Sequence, residues 1–216
     1  MEQVKNINAE DGRSIKERKR AIRKRILEKR NAMAKSEVES KSKIIIEKLM
    51  SMDAWIKSNL IMSYVNFGNE VITTDFINKS LSEGKRIAVP FVAKLPTGNK
   101  AIIPCEINSL DNDLEKSSFG ILEPKPNNRK EVDCVDIDLI IVPGIAFDNN
   151  KYRIGFGAGY YDRFLQSVKE EHLKRKSKVD YVTIGIAFEE QIVEFLPVES
   201  HDIPLDIIIT EKRMIL

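Results

Sequence analysis

The run Asp138–Val142, DLIIV, constrains the fold more than any other stretch of the chain. After its leading acid it is apolar at every position, without the alternation of a strand that has one wet face. A strand of this kind sits inside a sheet covered on both sides, as in parallel sheets flanked by helices. The next twenty residues are equally restrictive. Pro143–Gly144 ends the strand and an irregular segment intervenes. Gly155, Gly157 and Gly159 then lead into a helix near Tyr160. Strand, turn and helix in succession are the unit from which α/β proteins are built.

The rest of the chain keeps that alternation. Leu60–Val65, Arg86–Phe91, Val182–Ala187 and Asp206–Ile209 predict further strands, and Ala101–Ile103 a short one. A helix is predicted over Glu37–Met50, with Val38, Ile44, Ile45, Leu49 and Met50 inward. Another spans Thr74–Glu83, with a threonine cap and Gly84 just past its end. A third covers Tyr160–Lys176, its last turn rich in Lys and Arg, which complement the helix dipole. Pro124–Asp133 reads as a loop, and Asn108–Lys116 carries no assignable feature. The expectation is an α/β fold with a mainly parallel central sheet flanked by helices. It forms one domain over 1–216, with 1–14 as a poorly ordered extension.

With 216 residues and 42% hydrophobic content, the chain can hold a core without disulfides or structural metal. Cys105 and Cys134 lack metal-ligand spacing and point to a reducing compartment. Met1–Gly12 is polar and has no apolar signal segment. The longest strongly apolar stretch, Leu139–Phe147, falls far short of the roughly 20 residues a membrane span needs. A soluble cytoplasmic protein without a membrane partner is expected.

Net charge is only +2, but its distribution is uneven. Residues 16–30 hold nine Lys/Arg against two Glu, so one basic element rides on a mildly acidic body. Ile15, Ile22, Ile26 and Met33 recur at helical spacing, which predicts an amphipathic helix that docks its apolar stripe. Lys19 and Arg23 lie one turn apart, and Arg30 returns near the same angle. Such a ladder of cations suits a polyphosphate better than a flat duplex. Interleaved aromatics, the mark of single-strand binding, are absent here.

The glycine turn supplies the complementary feature. Glycines at alternate positions let backbone amides close on an anion, and the helix behind them adds a favourable dipole. Arg153, ahead of the glycines, is placed to give a bidentate phosphate contact from a solvent-reached cleft. GxGxG matches neither the Walker loop nor the dinucleotide fingerprint. Asp162 in the helix's first turn has two readings. It can hold Mg²⁺ beside phosphates, or it can simply answer the helix dipole. His172, His201 and Trp55 have no partners at chemical spacing and read as structural or solvent-facing.

Together, VPGIAFDNNKYRIGFGAGYYDRFL, the SFGILEP segment at Ser118–Pro124 and the Lys19/Arg23 helix resemble the 5-formyltetrahydrofolate cyclo-ligase family. The likeness runs from about Lys16 to the C-terminus. It implies ATP-dependent closure of 5-formyltetrahydrofolate to 5,10-methenyltetrahydrofolate, with Mg²⁺, on a monomer that needs no nucleic acid. The implied fold is akin to the sugar-phosphate isomerase and CoA-transferase group. Residue by residue, Lys19 and Arg23 match ATP-phosphate contacts. Arg153, Ile154, Gly155, Phe156, Gly157, Ala158, Gly159, Tyr160 and Tyr161 match the nucleotide loop, with Arg153 and Tyr160 at the chemistry. Phe156 to Tyr160 also border the folate, and Val65 and Glu70 match a folate-side pair. Asp162 matches a Mg²⁺ ligand, and Asp202 a second metal-linked acid, with Asp206 nearby as its rival. Some members carry a basic residue where Phe156 or Ala158 stands here, which leaves more of the work to backbone amides and Arg153. The other readings are a nucleic-acid-binding protein using the basic helix and a sugar-phosphate isomerase-like enzyme.

Overall fold

The computed structural model describes residues 12–96, 98–117, 120–176 and 180–216. Most of the predicted N-terminal extension, and Ser118 and Phe119 of SFGILEP, lie outside the described residues. Helix α1 (Ile15–Asn31) opens with a capping box, in which Ser14 and Glu17 each bond the other's backbone amide. Helices α2 (Lys35–Met50) and α3 (Asp53–Lys57) follow, then strand β1 (Leu60–Met62) and helix α4 (Thr74–Ser82). A hairpin of β2 (Arg86–Lys94) and β3 (Lys100–Ile107) comes next. The short elements α5 (Leu110–Asp113), β4 (Leu114–Lys116), β5 (Leu122–Pro124) and β6 (Lys130–Glu131) lead back to the sheet. Strands β7 (Leu139–Val142), β8 (Ala146–Asp148) and β9 (Arg153–Ile154) precede helix α6 (Tyr160–Arg175). Strands β10 (Val182–Ile186), β11 (Ile192–Val193), β12 (Ile207–Ile209) and β13 (Met214–Ile215) complete the chain.

Eight strands form the main sheet in the order β13-β12-β10-β7-β1-β2-β3-β6. The pairings from β12 to β2 are parallel, and the flanking ones are antiparallel. The parallel core is as expected; the edges are not. The predicted Ala101–Ile103 strand extends to Lys100–Ile107, through Pro104. Pro90 and Pro104 stand opposite each other, so their missing N–H donors fall at one step of the ladder. The loop predicted at 124–133 contains β6, which joins the sheet edge.

Strand β7 has all four residues buried, and its side chains divide by parity. Leu139 and Ile141 face the cluster that holds Val38, Ile45 and Leu49 of α2 and Phe76 and Ile77 of α4. Ile140 and Val142 face Phe164, Leu165 and Val168 of α6. Helices thus cover both faces, and the doubly buried strand follows from that. Two helix details differ from expectation. Ile44 is 42% exposed, and the inner face holds Ile46 and Ser42, whose hydroxyl accepts the Ile72 N–H at 3.0 Å. Thr73 is the α4 cap by position, but its hydroxyl is spent elsewhere. It donates to the Tyr64 carbonyl at 2.8 Å and accepts the Asn66 N–H at 3.1 Å, which shapes the turn after β1.

Helix α1 packs on a small sheet of β11, β8 and β9 rather than on the main one. Ile26, with Ile22 and Leu27 beside it, meets Ile145, Ala146, Ile154 and Leu196. Buried Asp148 locks this unit. It accepts the N–H groups of Asn150 and Tyr152 on one oxygen and of Leu196 on the other. Buried Gln191 donates to the carbonyls of Gly144 and Ile145. The turn after β7 and the approach to β9 are thereby held in place before any ligand binds.

Candidate active site

A cleft of about 660 Å³ opens at the carboxyl ends of the parallel strands. This is where α/β sheets commonly hold their ligands. It brings together residues far apart in sequence: Lys19 and Arg23, Val65 and Glu70, the whole run 153–162, and Asp202. Every predicted site residue therefore lines one cavity. Asp206 does not. Its carboxylate accepts the N–H and hydroxyl of Thr183 at 2.8 and 2.7 Å and ties β12 to β10.

One half of the cleft is a cradle for anions. The Arg23 Nε donates to the Gly155 carbonyl at 2.8 Å and fixes the loop against α1. Gly157 has φ +104°, and a Cβ there would lie 3.4 Å from the Arg23 guanidinium. That conformation and that approach both call for glycine. Gly159, at φ +65°, serves as the α6 N-cap. The first-turn amides of Tyr160 to Asp162 have no carbonyl one turn earlier to bond and face outward as donors. Arg163 stiffens the loop from outside by donating to the Ala158 carbonyl at 2.8 Å. Phe156 projects from the loop and is 69% exposed.

Lys19 completes the cradle. It meets Asp202 at 2.6 Å and Glu199 at 2.9 Å. Burial works against its charge, but the bonds to Asp202 and Glu199 outweigh that and hold its pKa above the usual lysine value. Arg23 shows the opposite balance, with its pKa lowered by burial. Glu199 is a participant that sequence reasoning missed. Its only signal is its place three residues before Asp202.

Arg153 departs from expectation. It is 6% exposed rather than set out in solvent, and its NH1 pairs with Asp162 Oδ1 at 2.8 Å. Its guanidinium also lies over the Tyr161 ring, 5.9 Å from the centroid. It forms part of the cleft wall with one edge engaged, so a bidentate phosphate contact would require it to release Asp162.

The other half of the cleft is mostly apolar, with Glu70 in its wall and Glu123 beside Ile121 and Leu122. Tyr64, Val65, Val89 and Ile102 line it, and Phe67 and Ile121 stand at its mouth. Glu70, which resembles an exposed loop acid in sequence, is turned inward. Its Oε2 accepts the Phe67 N–H at 3.0 Å, and its Oε1 lies 3.9 Å from Arg30 NH1. Burial raises the Glu70 pKa, against the pull of the Phe67 amide and Arg30. Arg30 is thus not a rung of a phosphate ladder: it is buried and faces this acid. The Tyr161 hydroxyl is buried and has no hydrogen-bond partner among the described residues. Burial and the nearby Glu70 raise its pKa, with Arg153 opposing.

The donor set suits a divalent cation shared with a ligand better than one caged by protein alone. Among the described residues no three His, Cys, Asp or Glu side chains gather to cage a metal. Asp162 Oδ1 is taken by Arg153 and Asp202 Oδ2 by Lys19, and both residues line the cleft. One or two carboxylates beside a polyphosphate suit Mg²⁺, which keeps several waters and phosphate oxygens as ligands.

The fold and cleft define an α/β protein with an anion cradle abutting an apolar, acid-bearing pocket. The chain belongs to the 5-formyltetrahydrofolate cyclo-ligase family, whose profile matches residues 15–211. It is 28% identical to the 5-formyltetrahydrofolate cyclo-ligase of Escherichia coli K12 over 189 residues, covering 88% of this chain and 98% of that one. The NMR structure of Aquifex aeolicus 5,10-methenyltetrahydrofolate synthetase superposes with a TM-score of 0.74 at 32% identity, covering 91% of each chain. The Mycoplasma pneumoniae 5,10-methenyltetrahydrofolate synthetase gives 0.67 at 27% identity, covering 89% of this chain and 98% of that one.

Proposed function

We propose that this chain uses ATP to close 5-formyltetrahydrofolate to 5,10-methenyltetrahydrofolate, releasing ADP and phosphate. Family membership supports the reaction. The observation that carries it in this chain is the two-sided cleft, an anion cradle opening directly onto a mostly apolar pocket that holds the inward-turned Glu70. A polyphosphate suits the first half. A flat ring system with N–H donors suits the second, where Glu70 is the acceptor.

The chemistry fits what the residues can do. An N-formyl oxygen is a poor leaving group. Attack of that oxygen on the γ-phosphorus forms an O–P bond and expels ADP. The second folate nitrogen then attacks the activated carbon and loses its proton, and the C–O bond breaks to release phosphate. Phosphoryl transfer asks mainly for positioning and charge neutralisation. Lys19, Arg23 and the amides from Gly155 to Tyr161 hold the phosphates, and Arg153 backs them. Tyr160 and Phe156 border both ligands, and Val65 packs on the folate. Asp162 and Asp202 would hold Mg²⁺, which supplies neutralisation of phosphate charge.

The reading extends to setting and architecture. The reading takes a monomer as the working unit. Both cysteines are free, in keeping with a reducing cytoplasm. Parallel strands under helices on both faces support kinship with the sugar-phosphate isomerase and CoA-transferase group. The test is growth of the methenyl-folate absorbance band on mixing protein, 5-formyltetrahydrofolate and Mg²⁺ with and without ATP. ATP-dependent growth is expected. A flat trace from folded protein that still binds ATP would overturn the choice of substrate.

A further inference from the structure

Lys19, Arg23 and Arg30 share one face of α1, at i, i+4 and i+11. The first two reach the anion cradle, but Arg30 serves the other half of the cleft. Its side chain is 6% exposed and forms no part of the cleft lining, whereas Glu70 does line it. The Arg30 NH1 lies 3.9 Å from Glu70 Oε1, too far for a hydrogen bond and close enough for strong attraction at a buried site. Glu70 Oε1 therefore keeps its lone pairs for a ligand, and Oε2 is occupied by the Phe67 amide. Asn69 ties the same loop to α1 by donating to the Arg30 carbonyl at 3.3 Å.

We propose that Arg30 is a positioning residue of the folate pocket, the counter-ion that holds the Glu70 carboxylate in place from behind the cleft wall. This rests on the reading of Glu70 as the folate's acceptor. The physical need is clear from what surrounds the acid. Burial disfavours its charged form, and a protonated Glu70 would offer a donor where the ring's N–H groups need an acceptor. Besides Arg30, the titratable groups facing it are Tyr64 from the turn after β1 and Tyr161 from α6. Burial raises the pKa of both, so they stay neutral near pH 7 and cannot replace the cation. Among the described residues, Arg30 is the one cation acting on Glu70.

The test is steady-state kinetics of Arg30→Met, Arg30→Lys and Glu70→Gln, with KM for each substrate measured from pH 6 to pH 9. Arg30→Met is expected to raise the KM for 5-formyltetrahydrofolate about tenfold at neutral pH, the scale of a lost charge-assisted hydrogen bond. The KM for ATP should stay put. The penalty should shrink as pH rises, because Glu70 without its counter-ion ionises later. Arg30→Lys restores the charge and should restore the wild-type pH profile. A penalty equal at every pH, or one that falls on ATP instead, would overturn the proposal. Should Arg30→Met fail to melt cooperatively, Arg30→Lys decides alone, since a rise in its ATP KM with folate KM unchanged also overturns it. Glu70→Gln separates the role of the acid from that of its counter-ion. An unchanged folate KM in that variant would remove Glu70 from the pocket. A raised one, with Arg30→Met silent, would remove only Arg30.

Discussion

The two halves of the cleft are built by opposite means. The anion cradle is made of backbone and cations. Gly155 and Gly157 are exposed, its amides come from a helix start, and Lys19 and Arg23 reach it from a neighbouring helix. The apolar half draws on side chains from three separate elements: Tyr64 and Glu70 after β1, Tyr161 on α6, and Arg30 on α1 behind the wall. Affinity in the cradle depends on main-chain shape and long-range charge. Affinity in the pocket depends on the charge state of one acid and the packing around it. The halves should therefore respond differently to salt, to pH and to small steric changes.

Arg153→Ala should break this division most severely, because Arg153 belongs to the wall between the halves. We expect kcat/KM to fall by at least about a hundredfold, as when a transition-state donor is lost. Asp162 would be left partly buried without its partner, so chemical denaturation should show a loss of about 3 kcal/mol. The double variant Arg153→Met, Asp162→Asn should regain the stability and not the activity. Recovery of both would make the arginine merely structural.

Lys19→Ala comes next and should act on the cradle alone. Its KM for ATP should rise about tenfold, the loss of one charge-assisted contact. The folate KM should be unchanged. Wild-type ATP binding should weaken with salt, and the variant's should weaken less. The pKa of Lys19 is raised in the folded protein, so the stability from its ion pairs is fully present below the unfolded value of 10.5. Thermal melts should show that stability fading only as pH rises through the higher folded value.

Gly157→Ala should be milder. A residue with a Cβ at that φ costs about 1–2 kcal/mol, measurable by denaturation. The added methyl also presses on Arg23, so the ATP KM should rise with the folate KM flat. Tyr161→Phe should have the smallest effect on stability, and of opposite sign. Removing a buried hydroxyl without a partner should stabilise the apo protein by about 1 kcal/mol. A simultaneous fall in kcat would show that the hydroxyl finds its partner in the ternary complex. Unchanged kinetics would leave it to neither half.

The same contrast explains what the sequence made legible. The cradle could be read because its chemistry is contiguous: 153–162 holds the glycines, the arginine, the tyrosines and the acid in one run. The helix that faces it declared itself by charge and spacing. The folate half could not be read in full, because polar residues there do inward work that periodicity does not register. Glu70 lies in a polar stretch, NFGNEV, and the cation it faces, Arg30, lies forty residues earlier in the chain. Ser42 lies on the inner face of α2 for the same reason, since its hydroxyl accepts a loop amide. Thr73 was legible as a cap position but not as a brace for the turn after β1. The parallel core followed from DLIIV, whereas at the edges β3 runs on through Pro104 and β6 and β13 are two residues each, too short for any alternation to mark them.

The joining of α1 to the small sheet has a consequence for how the chain becomes competent during synthesis. Arg23 reaches Gly155 and Lys19 reaches Asp202, which are 132 and 183 residues further on. At about 5–20 residues per second, α1 leaves the ribosome roughly 10–40 s before its last partner is made. For most of that interval the partners of its isoleucine stripe, Ile145, Ala146 and Ile154, have yet to be made. The nascent chain carries Lys19 and Arg23 yet has no cleft for them to line, so on the proposed reading an unfinished protein should not capture ATP. Activity begins only when one of the earliest helices and one of the latest loops meet.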